Sequence, residues 1–191
     1  MNNGKLDYSG IEMVRRDNAD FLKQVQGDFL KHLMENNDPT AALKSLQGYI
    51  QKLVQNKVPV KDLVISKTYA KAVYASEQIH VNLNNRIRDR TPALAYSLGE
   101  RIPYVVIQDG HKKLYERGED PNFVADNAIP IDRQYYLQKQ IIQPMTRLVA
   151  PLVGQRNCKL FFERAAGGAL SRHIKSDKTD WVPPILDNLQ T

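Results

Sequence analysis

Two apolar stripes separated by one polar break constrain this chain more than any other feature. Phe21, Leu22, Val25, Phe29, Leu33 and Met34 fall on one side of a 3.6-residue wheel. Leu43, Leu46, Ile50, Leu53 and Val54 repeat the pattern after the interruption Asn36-Asn37-Asp38-Pro39. A helix carrying such a stripe must bury it, so the spacing predicts an amphipathic helix over 18–35 and a second over 39–56, packed as an antiparallel pair. Asp17 and Asn18 are N-cap candidates for the first. For the second, Pro39 suits the opening turn and Asp38 suits the cap.

Downstream the pattern changes. Val60–Ser66 reads as extended, and residues 69–89 as helical in two parts. Ile79, Leu83 and Ile87 share a face there, while Arg86, Arg88 and Arg90 leave it. Thr91-Pro92 ends that segment, because a proline disfavours helical backbone in the residue before it. Ser97-Leu98-Gly99-Glu100 is a turn. Ile102–Ile107, β-branched and aromatic, is the best strand candidate, and Asp109-Gly110 closes it into a hairpin with Leu114-Tyr115. A short helix is expected after Asp120-Pro121, and a long one over 132–152, kinked or broken at Pro144. Asp132 is its cap candidate. Tyr135 and Tyr136 are neighbours and cannot face the same way on a helix, so one is core and the other presents its hydroxyl. After Gly154 no periodicity is read. The fold class expected is α+β and mostly α-helical, with a small strand or hairpin element.

Charge adds a functional hint. The net charge is +6, unevenly spread: residues 57–117 hold 11 basic and 6 acidic residues, and residues 154–178 hold 6 and 2. Residues 1–56 balance at 7 and 7. Such zoning is what a polyanion-binding face produces, and it is equally what a solubilising surface produces. A single cysteine, Cys158, excludes an internal disulfide framework and suits a reducing compartment. No apolar run is long enough to span a bilayer, and no signal region opens the chain; an intracellular protein without a membrane partner is expected. The chain contains no Walker loop, GxGxxG turn, HExxH helix or paired CxxC knuckles. Its histidines at 32, 80, 111 and 173 are too dispersed to suggest a metal site.

Three blocks carry a family likeness: Gly10-Ile-Glu-Met-Val-Arg-Arg-Asp17, Ser97-Leu-Gly-Glu-Arg-Ile-Pro-Tyr-Val-Val106, and Pro130-Ile-Asp-Arg-Gln-Tyr-Tyr-Leu137. In this order they resemble the end of the palm and the thumb of a family B DNA polymerase, closest to the delta-type catalytic subunit, over roughly residues 5 to 155. The resemblance implies residues 1–17 as the palm–thumb junction and 18–155 as a thumb. Residues 156–191 would be a C-terminal tail. A thumb grips primer–template duplex through its phosphates, because a replicative enzyme must be indifferent to sequence.

That resemblance also says what is missing. Polymerase chemistry needs two metal ions held by palm carboxylates. The aspartate motifs that hold them, the fingers lysine and the exonuclease motifs are absent. No cofactor is therefore expected on this chain, with Mg²⁺ only in the missing palm, and no nucleotide incorporation is expected from it alone. The implied partners are primer–template DNA, the exonuclease, palm and fingers portion of a polymerase, and a sliding clamp or accessory subunit, at the nucleus or a viral replication site.

Several residues in the matched positions are DNA-contact candidates. Arg15 and Arg16 lie in the junction block, with a salt bridge to Asp17 or Asp20 as the alternative role. Lys67 follows an expected strand, which points its charge outward. His80 is either a phosphate contact or a structural imidazole. Arg86, Arg88 and Arg90 form a basic run beside the Ser97 turn. Ser97 is a contact candidate in that turn, and Gly99 would let backbone N–H groups approach a phosphate. Arg101 is favoured as a backbone contact, and Tyr104 is left open.

The tail departs from the family. Cys158-Lys-Leu-Phe-Phe162 and Gly167-Gly168 resemble the lead-in to the two terminal cysteine modules of delta-type subunits, but those cysteines are absent. Zinc, an iron–sulfur cluster and the usual accessory docking are thereby in doubt. Trp181 with Pro183-Pro184 reads as a docking motif or a loosely packed end. Rival readings are an independent basic nucleic-acid-binding protein without a polymerase partner, and a structural interaction module. Neither needs palm-junction residues at the start of the chain, which reads as a split gene, a fragment or a truncated frame.

Overall fold

The structure is a computed structural model that describes residues 17–71 and 73–167. Arg15, Arg16 and the Trp181 segment lie outside the described residues. The first apolar stripe forms α1 (Asp20–Leu30), with Phe21, Leu22, Val25 and Phe29 buried. Neither Asp17 nor Asn18 is its cap; extended Ala19 holds that place without a side-chain bond, and Asp20 supplies the first-turn negative charge instead. A π-helical turn (Lys31–Glu35) follows. Its wider i→i+5 spacing shifts the stripe, so Leu33 still packs on the core while Met34, expected inside, is 50% exposed.

The restart at α2 (Pro39–Val54) is as the sequence predicts: the Asp38 carboxylate accepts from the Ala41 amide at 2.8 Å, and Pro39 opens the helix. Leu43, Leu46, Ile50 and Leu53 are buried against α1. Burial, and then the Asp28 carboxylate that accepts its hydroxyl, push the Tyr49 phenol up to about 12.

Beyond α2 the chain builds a three-stranded antiparallel sheet in the order β1 (Ile65–Thr68), β2 (Arg101–Val106), β3 (Gly118–Glu119). Val60–Leu63 is a 3₁₀ turn rather than extended chain, and Lys67 sits within β1 rather than after it. Lys67 pairs with Ile102 and Ser66 with Pro103. A proline in the middle strand is tolerated because β3 pairs only with Val105 and Val106, leaving β1 as the sole neighbour at Pro103. The hairpin partner of β2 is Gly118-Glu119, not Leu114-Tyr115, which lies in a 3₁₀ turn.

Only the second half of the 69–89 segment is helical, as α3 (Ile79–Arg90). The first half spends its backbone groups elsewhere. Tyr69 N–H donates to Glu100 O at 2.8 Å, and Ala70 and Lys71 N–H donate to the Tyr74 hydroxyl at 3.0 and 3.3 Å. α3 lies against the sheet so closely that a Cβ on Gly118 would stand 2.3 Å from Ile79 Cγ2. Asp120 caps α4 (Pro121–Asp126).

The long helix over 132–152 is three pieces: α5 (Arg133–Tyr135), a π-helical stretch (Tyr136–Ile142) and α6 (Gln143–Val153). The break expected at Pro144 falls beside it: the widened stretch ends at Ile142, and Pro144 lies in the first turn of α6. Asp132 caps α5 through the Tyr135 amide at 2.9 Å. Tyr136 is fully buried, its hydroxyl accepting from Val106 N–H at 3.1 Å, and Tyr135 is half-buried.

Periodicity does not end at Gly154. α7 (Gln155–Ala165) buries Asn157, Cys158, Phe161, Phe162 and Ala165 against α6 and α2, within the same core as the sheet. Gly154, at φ 82°, makes the corner between α6 and α7, and Asn157 Nδ2 donates across it to Val153 O at 2.6 Å.

Candidate nucleic-acid interface

The sheet and α3 gather the sequence candidates into one region but give them different work. Arg101 projects from β2 back across β1. Its Nε donates to Ser66 Oγ at 3.1 Å and one terminal nitrogen to Thr68 Oγ1 at 3.2 Å, with a further bond to Ser66 O. This guanidinium ties two strands together.

Arg86 likewise turns inward. From α3 it donates to Asn82 Oδ1 at 3.1 Å, to Glu116 O at 2.7 Å and to Gly118 O, and it lies 3.6 Å from the Glu119 carboxylate. Arg90 pairs with the same carboxylate at 2.9 Å and covers the Phe123 ring at 5.2 Å. Glu119 is 8% exposed and needs these partners, since an unpaired buried charge is costly. Spacing along α3 explains the division. Residues 86 and 90 are one turn apart on the face toward β3, while Arg88 is exposed and, among the described residues, donates only to Asn85 Oδ1 at 3.2 Å.

The Ser97 turn is also internally tied. Gly99 has φ 90°, and no atom stands within 4 Å of a Cβ built there, so glycine is required for backbone conformation rather than close approach. Its N–H donates to Tyr69 O at 2.9 Å, and Ser97 N–H donates to the Glu100 carboxylate at 2.5 Å. The Ser97 amide is thus engaged within the turn and the Gly99 amide by the chain just after β1.

Lys67 and His80 are different. They border a hollow of about 280 Å³ between β1, the start of α3 and the Leu114–Glu116 turn. Lys67 is half-buried and makes no ion pair among the described residues. His80 is 3% exposed, and neither ring nitrogen has a hydrogen-bond partner among the described residues. The Tyr74 ring stands edge-on to it at 5.6 Å. Burial, and then the Lys67 charge, hold the imidazole below its ordinary value of 6.5. Tyr104, 2% exposed, lines the same hollow; burial, then Tyr135 and Asp17, push its phenol up. Tyr115 and Tyr135, which the sequence did not single out as site residues, complete the wall. An aromatic spacing on three separate elements leaves no local signal.

Among the described residues no group of three or more His, Cys, Asp and Glu side chains converges to hold a metal ion. No helix among them is long and apolar enough to cross a membrane.

Comparison with known proteins gives one consistent result. Residues 1–152 match DNA polymerase family B. The DNA polymerase delta catalytic subunit of Candida albicans is 40% identical over 155 residues, 81% of this chain and 15% of that protein. That of Bos taurus is 40% identical over 154 residues, 79% of this chain and 14% of the relative. This chain thus spans about a seventh of the length of these relatives. The solved family B DNA polymerase from the hyperthermophilic archaeon Pyrobaculum calidifontis is similar with a TM-score of 0.56 at 25% identity, over 69% of this chain and 18% of that one.

Proposed function

Since the chain belongs to DNA polymerase family B, we propose that it acts as the thumb of a delta-like polymerase, gripping primer–template duplex through the phosphate backbone during DNA replication. Residues 1–17 would be the end of the palm, and the exonuclease, palm and fingers portion would be its partner. The observation that carries this reading is that half-buried Lys67 on β1 and exposed Arg88 on α3 have no carboxylate partner among the described residues, whereas Arg86 and Arg90 share Glu119. Lys67 and Arg88, with Arg15 and Arg16, are the proposed phosphate contacts. Arg86, Arg90 and Arg101 hold the elements that present them.

Catalysis would come from the partner portion, because the two-metal chemistry needs carboxylates of the palm. Binding by phosphate contacts alone is weak and salt-dependent, on the order of micromolar or weaker at physiological salt, with little sequence preference. Fluorescence anisotropy of labelled duplexes of several sequences across a salt series tests this. Tight, sequence-selective and salt-insensitive binding would instead favour the independent nucleic-acid-binding protein.

A further inference from the structure

A second hollow, of about 530 Å³, opens between the end of α3, the Pro92–Leu94 turn and α4. Ile87, Leu94, Tyr96 and Phe123 line it. Leu94 is 68% exposed and Phe123 41%, so the groove offers apolar surface that the described residues leave uncovered. Its charges are unequal in what they can still do. Arg90 is committed, held by Glu119 at 2.9 Å and laid over the Phe123 ring. Asp120 caps α4, its Oδ1 accepting from the Asn122 and Phe123 amides at 2.9 Å, and keeps its negative charge. Asp126 is exposed and has no cationic partner among the described residues. Two carboxylates with one neutralised cation repel a phosphate backbone, in a chain whose net charge is +6. The groove fits an apolar side chain with a cation beside it, and not a nucleic acid.

We propose that this groove is the docking site of the chain's own residues 175–186, with Trp181 as the apolar anchor and the basic residues before it facing Asp120 and Asp126. The inference is independent of the duplex-binding reading. The stretch Trp181-Val-Pro-Pro-Ile-Leu186 is apolar throughout and contains the chain's one tryptophan. An indole is among the largest apolar side chains that a groove can bury, and the volume lies in the range of ligand pockets. Pro183 and Pro184 have fixed φ, which lowers the entropy lost on docking. Residues 168–180 hold Arg172, Lys175 and Lys178 against Asp177 and Asp180, so the approach to Trp181 is net positive, opposite in sign to the free charges of the groove.

Length permits the contact. Trp181 lies fourteen residues beyond Gly167, a span of up to about 46 Å. A folded unit of this size has a radius of gyration of about 15 Å, so the attachment reaches across it. Covalent attachment also presents the segment at a local concentration on the order of millimolar, so a groove affinity tighter than that keeps it mostly docked.

The test uses the full chain, whose intrinsic tryptophan emission reports Trp181 alone. Emission wavelength and acrylamide quenching are measured for wild type, native and in urea, and for Leu94→Glu, Asp126→Lys and Leu98→Glu, each checked for folding by thermal unfolding. Leu98 is 58% exposed and lies outside the groove lining, so its variant is the control. Expected is a native emission blue-shifted and protected from quencher, with both effects lost in Leu94→Glu and Asp126→Lys and kept in Leu98→Glu. A native emission equal to that in urea overturns the docking, and needs no variant to show it. A blue shift that Leu94→Glu leaves in place puts the indole elsewhere and overturns it too. A blue shift that grows with protein concentration assigns the segment to the groove of a second copy and overturns docking within one chain. A fluorescein-labelled peptide of residues 175–186 supplies the other arm. It should bind Trp181→Ala, whose groove has lost its anchor, more tightly than wild type, and lose that binding when Leu94→Glu is added. Equal binding to all three chains overturns the site.

Discussion

Replacing Arg86 and Arg88 one at a time by alanine separates a scaffold arginine from a contact arginine two residues away. Arg86 donates to two carbonyls, Glu116 O and Gly118 O, and lies beside Glu119. A hydrogen bond involving a charged group contributes about 1.5–3 kcal/mol. The Arg86 side chain is 30% exposed, so water replaces part of what is lost, and Arg90 still pairs with Glu119. The expected cost of Arg86→Ala is about 2–4 kcal/mol, a fall in Tm on the order of 5–15 °C for a chain of this size. Arg88 is exposed with one bond to Asn85, so Arg88→Ala should cost less than about 0.5 kcal/mol. The order reverses in DNA binding. Arg88→Ala should lower the slope of log affinity against log salt by about 0.9, the value of one phosphate contact, while the folded fraction of Arg86→Ala keeps the wild-type slope. Differential scanning calorimetry and anisotropy over a salt series measure both. A stable Arg86→Ala with a reduced slope would refute the division of roles drawn from the geometry.

Three further outcomes are expected. Gly118→Ala should destabilise by about 1–3 kcal/mol in denaturant unfolding, because its Cβ would meet Ile79 Cγ2 at 2.3 Å and push α3 off the sheet. Asn84→Ala should cost about 2–4 kcal/mol: Asn84 is fully buried, and its amide makes a reciprocal pair with Tyr96 O at 2.9 Å and Tyr96 N at 2.8 Å, leaving both backbone groups unpaired when removed. Without phosphate or DNA, the folded-state imidazole of His80 lies below the unfolded value, so the unfolded chain binds the extra proton as pH falls. Stability should hold above about pH 6.5 and decline below it, and urea midpoints for His80→Gln should lack that decline.

The sequence by itself determined the elements whose signals are local. The α1–α2 pair follows from two stripes and an Asp38-Pro39 restart, and β2 from a β-branched run; caps at Asp38, Asp120 and Asp132 need only a carboxylate within three residues of the amides it accepts from. Membership of the polymerase family was legible too, because its motifs are contiguous blocks. α7 escaped notice because its buried stripe includes polar Asn157 and is flanked by Arg156, Lys159 and Arg164, so little apolar contrast remains. The hairpin partner of β2 was misplaced because Gly118-Glu119 has no strand signal of its own; it becomes a strand only where Val105 and Val106 offer it partners. Only the tertiary structure decided which basic residues are free. Arg86, Arg88 and Arg90 look alike in sequence, yet Arg86 and Arg90 face a buried Glu119 brought in by residues some thirty positions away, and Arg88 does not. The hollow at Lys67 and His80 is of the same kind. Its walls come from β1, α3, β2, the 114–116 turn and α5, and a side chain's charge state and accessibility depend on neighbours that the chain assembles only by folding.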